Sequence, residues 1–175
     1  MSQDDLKNEQ KESLKQMSPW GIGPILIALL LVSTVLGLIF STHSALVAGR
    51  VELAWPRILA RTLSIVLILY ALVLWTMGAF GARINAKAKA GELVTTGAYA
   101  WVRHPIYSAF FLVSAAVLIW PLNLYLLLLI LFNWAFMSLI LKFTEESTLR
   151  RLFPETYPDY CKRTNRLLAM PPRRQ

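Results

Sequence analysis

Apolar residues fall in four blocks along the chain, and the blocks set the expected architecture. The first covers about residues 20–41 and carries no charge over 25–40. As a helix rising about 1.5 Å per residue it is long enough for about 30 Å of hydrocarbon. The second covers about residues 57–80. Pro56 stands at its first turn, where a missing N–H costs nothing, and Arg57 and Arg61 near its start can snorkel to headgroups. The third, residues 105–120, is short: as a helix it reaches about 24 Å, less than a bilayer core. Pro121 stops it, and residues 123–143 form the fourth block. The last two blocks predict a tight helical hairpin. After residue 143 the character turns abruptly polar, and the helix is expected to run on until Pro154 breaks it. The pattern therefore predicts an all-α polytopic membrane protein with about four transmembrane helices, the last two paired, plus a cytoplasmic C-terminal helical segment. Residues 1–19 read as a separate polar segment of mixed charge, and 20–175 as one domain.

Composition agrees and narrows the class. The 175 residues are 56% hydrophobic and 16% charged, with mean hydropathy +0.50, which excludes an ordinary soluble domain. A net charge of +8 would suit nucleic acid, but the basic residues lie between and beyond the apolar blocks without aromatic interleaving, so no nucleic-acid partner is expected. Lysine and arginine number three before the first block, one in the 42–56 loop, four in 82–104 and seven from Arg150 onward. Four crossings put the three basic segments on one side, so both termini are expected in the cytoplasm. The first apolar run is too long for a cleavable signal and is read as a retained span. One cysteine, Cys161, allows no intramolecular disulfide, and His43 and His104 lie too far apart in sequence to suggest a metal site.

Two polar segments, 82–104 and 142–172, flank the expected hairpin and must emerge together. Tyr99, Arg103, His104 and Tyr107 should therefore neighbour Glu145, Glu146, Tyr157, Tyr160 and Arg163. Such a set can bind a charged ligand while an apolar substrate enters from the bilayer.

The run Gly97-Ala98-Tyr99-Ala100-Trp101-Val102-Arg103-His104-Pro105-Ile106-Tyr107 resembles the Gly-x-Tyr, Arg-His-Pro-x-Tyr signature of isoprenylcysteine carboxyl methyltransferases and related phospholipid methyltransferases. Glu145-Glu146, Leu149, Phe153, Tyr157, Tyr160, Arg163 and Pro171 are similar to that family's C-terminal segment in order and spacing. The resemblance covers about residues 56–172. It implies a membrane enzyme using S-adenosylmethionine, with carboxyl methylation of an isoprenylcysteine-type compound favoured. A phospholipid amine or a small thiol is the alternative acceptor, and membrane lipids and a lipophilic or prenylated substrate are the implied partners. It further implies Glu146 and Arg103 as catalytic residues, with Tyr99, His104, Tyr107, Glu146, Tyr160 and Arg163 around the cofactor and no metal. The chain departs from the family pattern at Ala98 and Pro154, and at Ala109, where the family carries glycine. Lys142 is the nearest basic residue before Glu146, in a different register from the family's catalytic arginine. These departures motivate a second reading, a non-catalytic membrane lipid-binding or assembly protein.

Each residue also has a plainer reading. His104 can be a polar residue at a helix start before Pro105. Glu146 can pair along its own helix with Lys142 or Arg150. Glu145 is expected on another face as a solvated acid. Tyr157 divides evenly between ligand wall and interfacial aromatic, Arg103 and Arg163 can meet anionic headgroups, and Trp101 is expected as an interfacial anchor.

Overall fold

The computed structural model describes residues 22–80 and 92–171; the N-terminal segment 1–19 and residues 82–91 of the central polar stretch lie outside them. Those described residues are helical, with no β-strand, only isolated bridges joining Arg50 to Asn123 and Val102 to Asn165. Helix α1 spans Gly23–Phe40, with Pro24 in its first turn. A single turn, α2 (Ser44–Val47), leads to α3 (Ala54–Ala79). A 3₁₀ turn at Gly97–Ala100 precedes α4 (Pro105–Ile119), α5 (Leu124–Phe143), α6 (Glu145–Leu152) and α7 (Thr156–Arg163).

Helices α1 and α3 are long and apolar enough to cross a membrane, as is the stretch Leu124–Leu152 that holds α5 and α6; α4 is shorter. Ile25, Val32, Ile39, Ile58, Leu69, Leu128 and Phe132 stand open on the outer faces, which in water would be unaffordable and in lipid is the ordinary state.

Where lipid and core are equally apolar, close backbone approach and hydrogen bonds hold helices together. The α3–α4 seam shows this. Helix α3 buries Ala60, Ser64, Ala71 and Gly78, and α4 buries Ser108, Ala109, Ala115 and Ala116, small residues on both helices. A Cβ on Gly78 would lie 3.2 Å from Pro105, a tight contact that would push the two helices apart by a few tenths of an ångström. Ala109 is buried at 2% exposure, and its methyl sits within this small-residue layer. Ser64 donates to the Ala116 carbonyl at 2.8 Å. Across the bundle, Thr34 and Ser114 hydroxyls meet at 2.6 Å, and Ser33 donates to Asn133 at 2.8 Å.

These contacts fix the helix directions. Gly23 lies against Tyr107, and Gly78 against Pro105, at one end. Arg61 stacks over Trp120 at the other, its guanidinium 5.7 Å from the ring centre. At that far end the 42–53 loop docks on the α4–α5 turn. Asn123 donates to the Leu46 carbonyl at 2.9 Å and caps α5 by accepting from Tyr125 N, while Leu124 N donates to Gly49 O.

The helix expected to continue to Pro154 instead breaks at Thr144 (φ −106°, ψ −86°). Hydroxyls cause no clash there but share the carbonyls. Thr144 Oγ1 donates to Ile140 O, and Ser147 Oγ to Phe143 O and Thr144 O, beside the backbone bonds from Thr144 N to Ile140 O and from Thr148 N to Thr144 O; hydroxyl back-bonding of this kind favours a bend. Beyond α7 the chain returns to the bundle as an extended strap. Leu167, 1% exposed, enters the core of Leu26, Leu30, Phe111, Met137 and Leu141.

Candidate active site

The near end of the bundle collects charge. Gly97 starts the approach with φ +65°, a backbone state that favours glycine, and so turns the chain into the 3₁₀ turn. Ala98 and Val102 then bury against Leu74, which anchors the turn on α3. Arg103 donates its backbone N–H to Asn165 O at 2.9 Å. His104 caps α4, with Pro105 as its first helical residue. Opposite them, Glu145 and Glu146 open α6, where the free N–H groups of a helix start favour acids.

Glu146 is the centre. Its Oε1 lies 3.5 Å from Arg103 Nε and 3.5 Å from His104 Nε2. Arg166 grips it with both prongs: Nε donates to Oε1 at 2.8 Å and Nη2 to Oε2 at 2.7 Å. Bidentate carboxylate–guanidinium pairing of this kind is both strong and directional. The remaining Arg166 nitrogen, Nη1, donates to Ser138 at 2.7 Å. The guanidinium is held further protonated by its bonds to Glu146.

Glu145 accepts from the Tyr107 hydroxyl and lies 3.5 Å from His104 Nδ1. Arg103 reaches the other way, donating Nη1 to the Cys161 thiol at 2.7 Å. Tyr160 donates to the Tyr99 carbonyl at 2.7 Å, and burial pushes its phenol well up. Tyr157 is fully buried beside it, rings 6.1 Å apart, with burial first and the charge of Glu146 second raising its phenol. Among the described residues, Arg103 Nε, His104 Nε2 and the Tyr157 hydroxyl at this end, and Asn133 Nδ2 in the middle of the bundle, are buried without a hydrogen-bond partner.

Tyr99, Arg103, His104, Tyr107, Glu146 and Tyr160 thus lie in one cluster. Arg163 does not: it is exposed and donates to Asp159 O on its own helix. Three expectations change. Glu145 is not a solvated acid, because the break at Thr144 re-aims the start of α6 toward Tyr107. Tyr157 is no interfacial aromatic but core. Glu146 pairs with neither Lys142 nor Arg150, both exposed; its partner is Arg166, twenty residues on. Arg166 escaped the sequence reading because it follows α7, where helical spacing no longer tells which residue faces inward. The only local sign is the apolar pair Leu167-Leu168 just after it. No group of residues able to hold a metal is present among the described residues.

A family model described as phospholipid methyltransferase matches residues 57–156, more than half of the chain. The chain belongs to the phospholipid methyltransferase family. The matched region runs from the start of α3 through the Glu145-Glu146 pair to the start of α7, so it contains Arg103, His104, Tyr107 and both acids. With three apolar helices of spanning length, this family member is an integral membrane protein, and the family's chemistry is methyl transfer to lipid-like acceptors. No curated protein and no solved structure matches the chain.

Proposed function

We propose that the protein is an S-adenosylmethionine-dependent methyltransferase acting at the membrane interface on a lipid-like acceptor, an isoprenylcysteine-type carboxylate first of all. In this reading α4 also crosses, which makes four spans with α4 and α5 paired, and both termini are cytoplasmic. The observation that carries it is the meeting of Arg103 and His104 with Glu145 and Glu146 at one end of the bundle.

The residues fit such a cofactor. Arg103 Nε and His104 Nε2 are buried donors without a hydrogen-bond partner, suited to the carboxylate of an amino-acid moiety. Glu145 and the Tyr107 hydroxyl suit its ammonium or a ribose hydroxyl. Tyr99 stands beside them, its phenol raised by burial and then by Glu145. Tyr160 supports the wall through the Tyr99 carbonyl. Arg163, exposed at the surface, suits a headgroup rather than the cofactor.

The bound cofactor would supply an electrophilic methyl group. The protein's part is alignment and electrostatics in a site away from bulk water. Arg103 and Glu146 form the catalytic pair of this proposal: the guanidinium steadies an anionic group, and the Glu146 charge 3.5 Å away balances the guanidinium. A carboxylate acceptor loses no proton on methylation, so it needs no general base. That suits a site whose acids are engaged, Glu146 by Arg166 and Glu145 by Tyr107. A second reading, methylation of a phospholipid amine, is favoured by the description of the matched family model.

The test is calorimetry with S-adenosylmethionine on purified protein, His104→Ala and Glu146→Ala, joined to radiolabelled methyl transfer onto a farnesylated cysteine and onto a phospholipid amine. Binding by wild type, at least tenfold weaker in both variants, and label on the farnesylated cysteine are expected. Label on the amine alone would select the second reading. Binding without turnover on either would make the protein a non-catalytic membrane module, and no binding would remove the cofactor.

A further inference from the structure

Glu146 has four cationic or imidazole N–H groups around it but hydrogen-bonds to only two of them, both on Arg166. The two left over, Arg103 Nε and His104 Nε2, stand 3.5 Å from Oε1, buried and without a hydrogen-bond partner among the described residues. A carboxylate so placed would ordinarily close onto them, because buried donors left unmade cost about 1–3 kcal/mol each. The fork of Arg166 opposes that closure. All three of its guanidinium nitrogens are committed, two to Glu146 and one to Ser138.

Arg166 is itself aimed by the backbone around it. On one side Asn165 O accepts from Arg103 N at 2.9 Å, and Thr164 Oγ1 donates to Tyr160 O. On the other, Leu167 is buried in the bundle core, and Met170 N donates to Trp101 O at 3.3 Å. The strap therefore registers Arg166 against the Trp101–Arg103 backbone. Ser138 precedes the break at Thr144 and Glu146 follows it, so the same guanidinium also spans that break.

We propose that Arg166 is a positioning residue: by occupying both oxygens of Glu146 it keeps that carboxylate from closing onto Arg103 and His104, and so preserves two buried N–H donors for an anionic group of the ligand. The proposal rests on the methyltransferase reading above and adds to it a residue that never touches the ligand. Remove the fork, and Glu146 turns to Arg103 and His104, sealing the site with an internal ion pair.

Calorimetry with S-adenosylhomocysteine on the full chain in detergent tests it, using wild type, Arg166→Met, Ser138→Ala and the double variant Arg166→Met with Glu146→Gln. Arg166→Met should bind at least tenfold more weakly. Ser138→Ala should change binding less than threefold. The double variant should bind more tightly than Arg166→Met alone, because a neutral glutamine does not draw in the two donors. A merely structural role for Arg166 predicts the opposite, a double variant as weak as the single or weaker. If Arg166→Met does not fold, Arg166→Lys with and without Glu146→Gln makes the same comparison, since lysine keeps the charge and loses the fork. Arg166→Met binding like wild type, or a double variant no tighter than the single, overturns the proposal while the methyltransferase reading stands. Wild type failing to bind removes both.

Discussion

The middle of the bundle and its near end use polar groups in opposite ways. In the middle they are neutral and short and bond from helix to helix: Thr34 with Ser114, Ser33 with Asn133, Ser64 with the Ala116 carbonyl. They serve adhesion between helices. At the near end the groups are charged, long and drawn from segments far apart in the chain, and several donors are left without hydrogen-bond partners. Buried polar atoms left unpaired are rare in folded proteins, and of the four side-chain cases among the described residues three lie at this end, with Asn133 Nδ2 the one in the middle. The contrast separates two roles: the middle is built for packing, and the charged end is where the proposed ligand site lies. It also explains the C-terminal strap, since charged groups converging from separate segments need a third element to set their spacing.

The largest effect should come from Glu146→Ala. It leaves Arg166 and Arg103 facing each other across a buried gap, and loss of one partner from a buried ion pair costs about 3–5 kcal/mol. Chemical denaturation in detergent should show that loss together with lost cofactor binding. A stability change as small as those of the mid-bundle hydroxyls would erase the distinction between the two regions. Next is Gly78→Leu, which overfills the α3–α4 seam against Pro105 and should cost about 1–3 kcal/mol. Because Pro105 follows His104, its cofactor affinity should fall as well, whereas overpacking farther along the seam should lower stability alone.

Alkaline titration sharpens the comparison further. Tyr157 and Tyr160 keep their phenol protons in the folded protein because burial raises both well above the ordinary 10.0. The unfolded chain sheds those protons first, so stability is fully present below pH 10 and falls as pH rises beyond it, by up to about 1.4 kcal/mol per unit for each group. Tyr157→Phe should flatten the decline measured by melting temperature against pH; an unchanged slope would show that the phenol is not sheltered. Smaller again, Ser114→Ala should cost about 0.6 kcal/mol and leave cofactor binding intact. The smallest effect belongs to Arg163→Ala, within about 0.5 kcal/mol and without loss of binding. A loss matching that of Arg166→Met would put the boundary of the site in the wrong place.

The linear order of apolar and polar residues determined a good deal by itself. Membrane helices declare themselves because lipid demands long uncharged runs with every backbone group bonded internally. Arg103-His104 and Glu145-Glu146 were legible because each pair sits at the edge of such a run, where charge stands out. Tertiary structure alone decided the partners. The break at Thr144 goes with hydroxyls that back-bond the carbonyls of the preceding turn, and beyond it Glu145 meets Tyr107 rather than solvent. Arg166 rather than Arg163 reaches Glu146 because the chain has left helical geometry by then, and periodicity carries no information across an irregular strap. The reason is general: hydrophobic patterning records what each residue must be shielded from, while a charged pair depends on distance and direction in space, which no local pattern encodes.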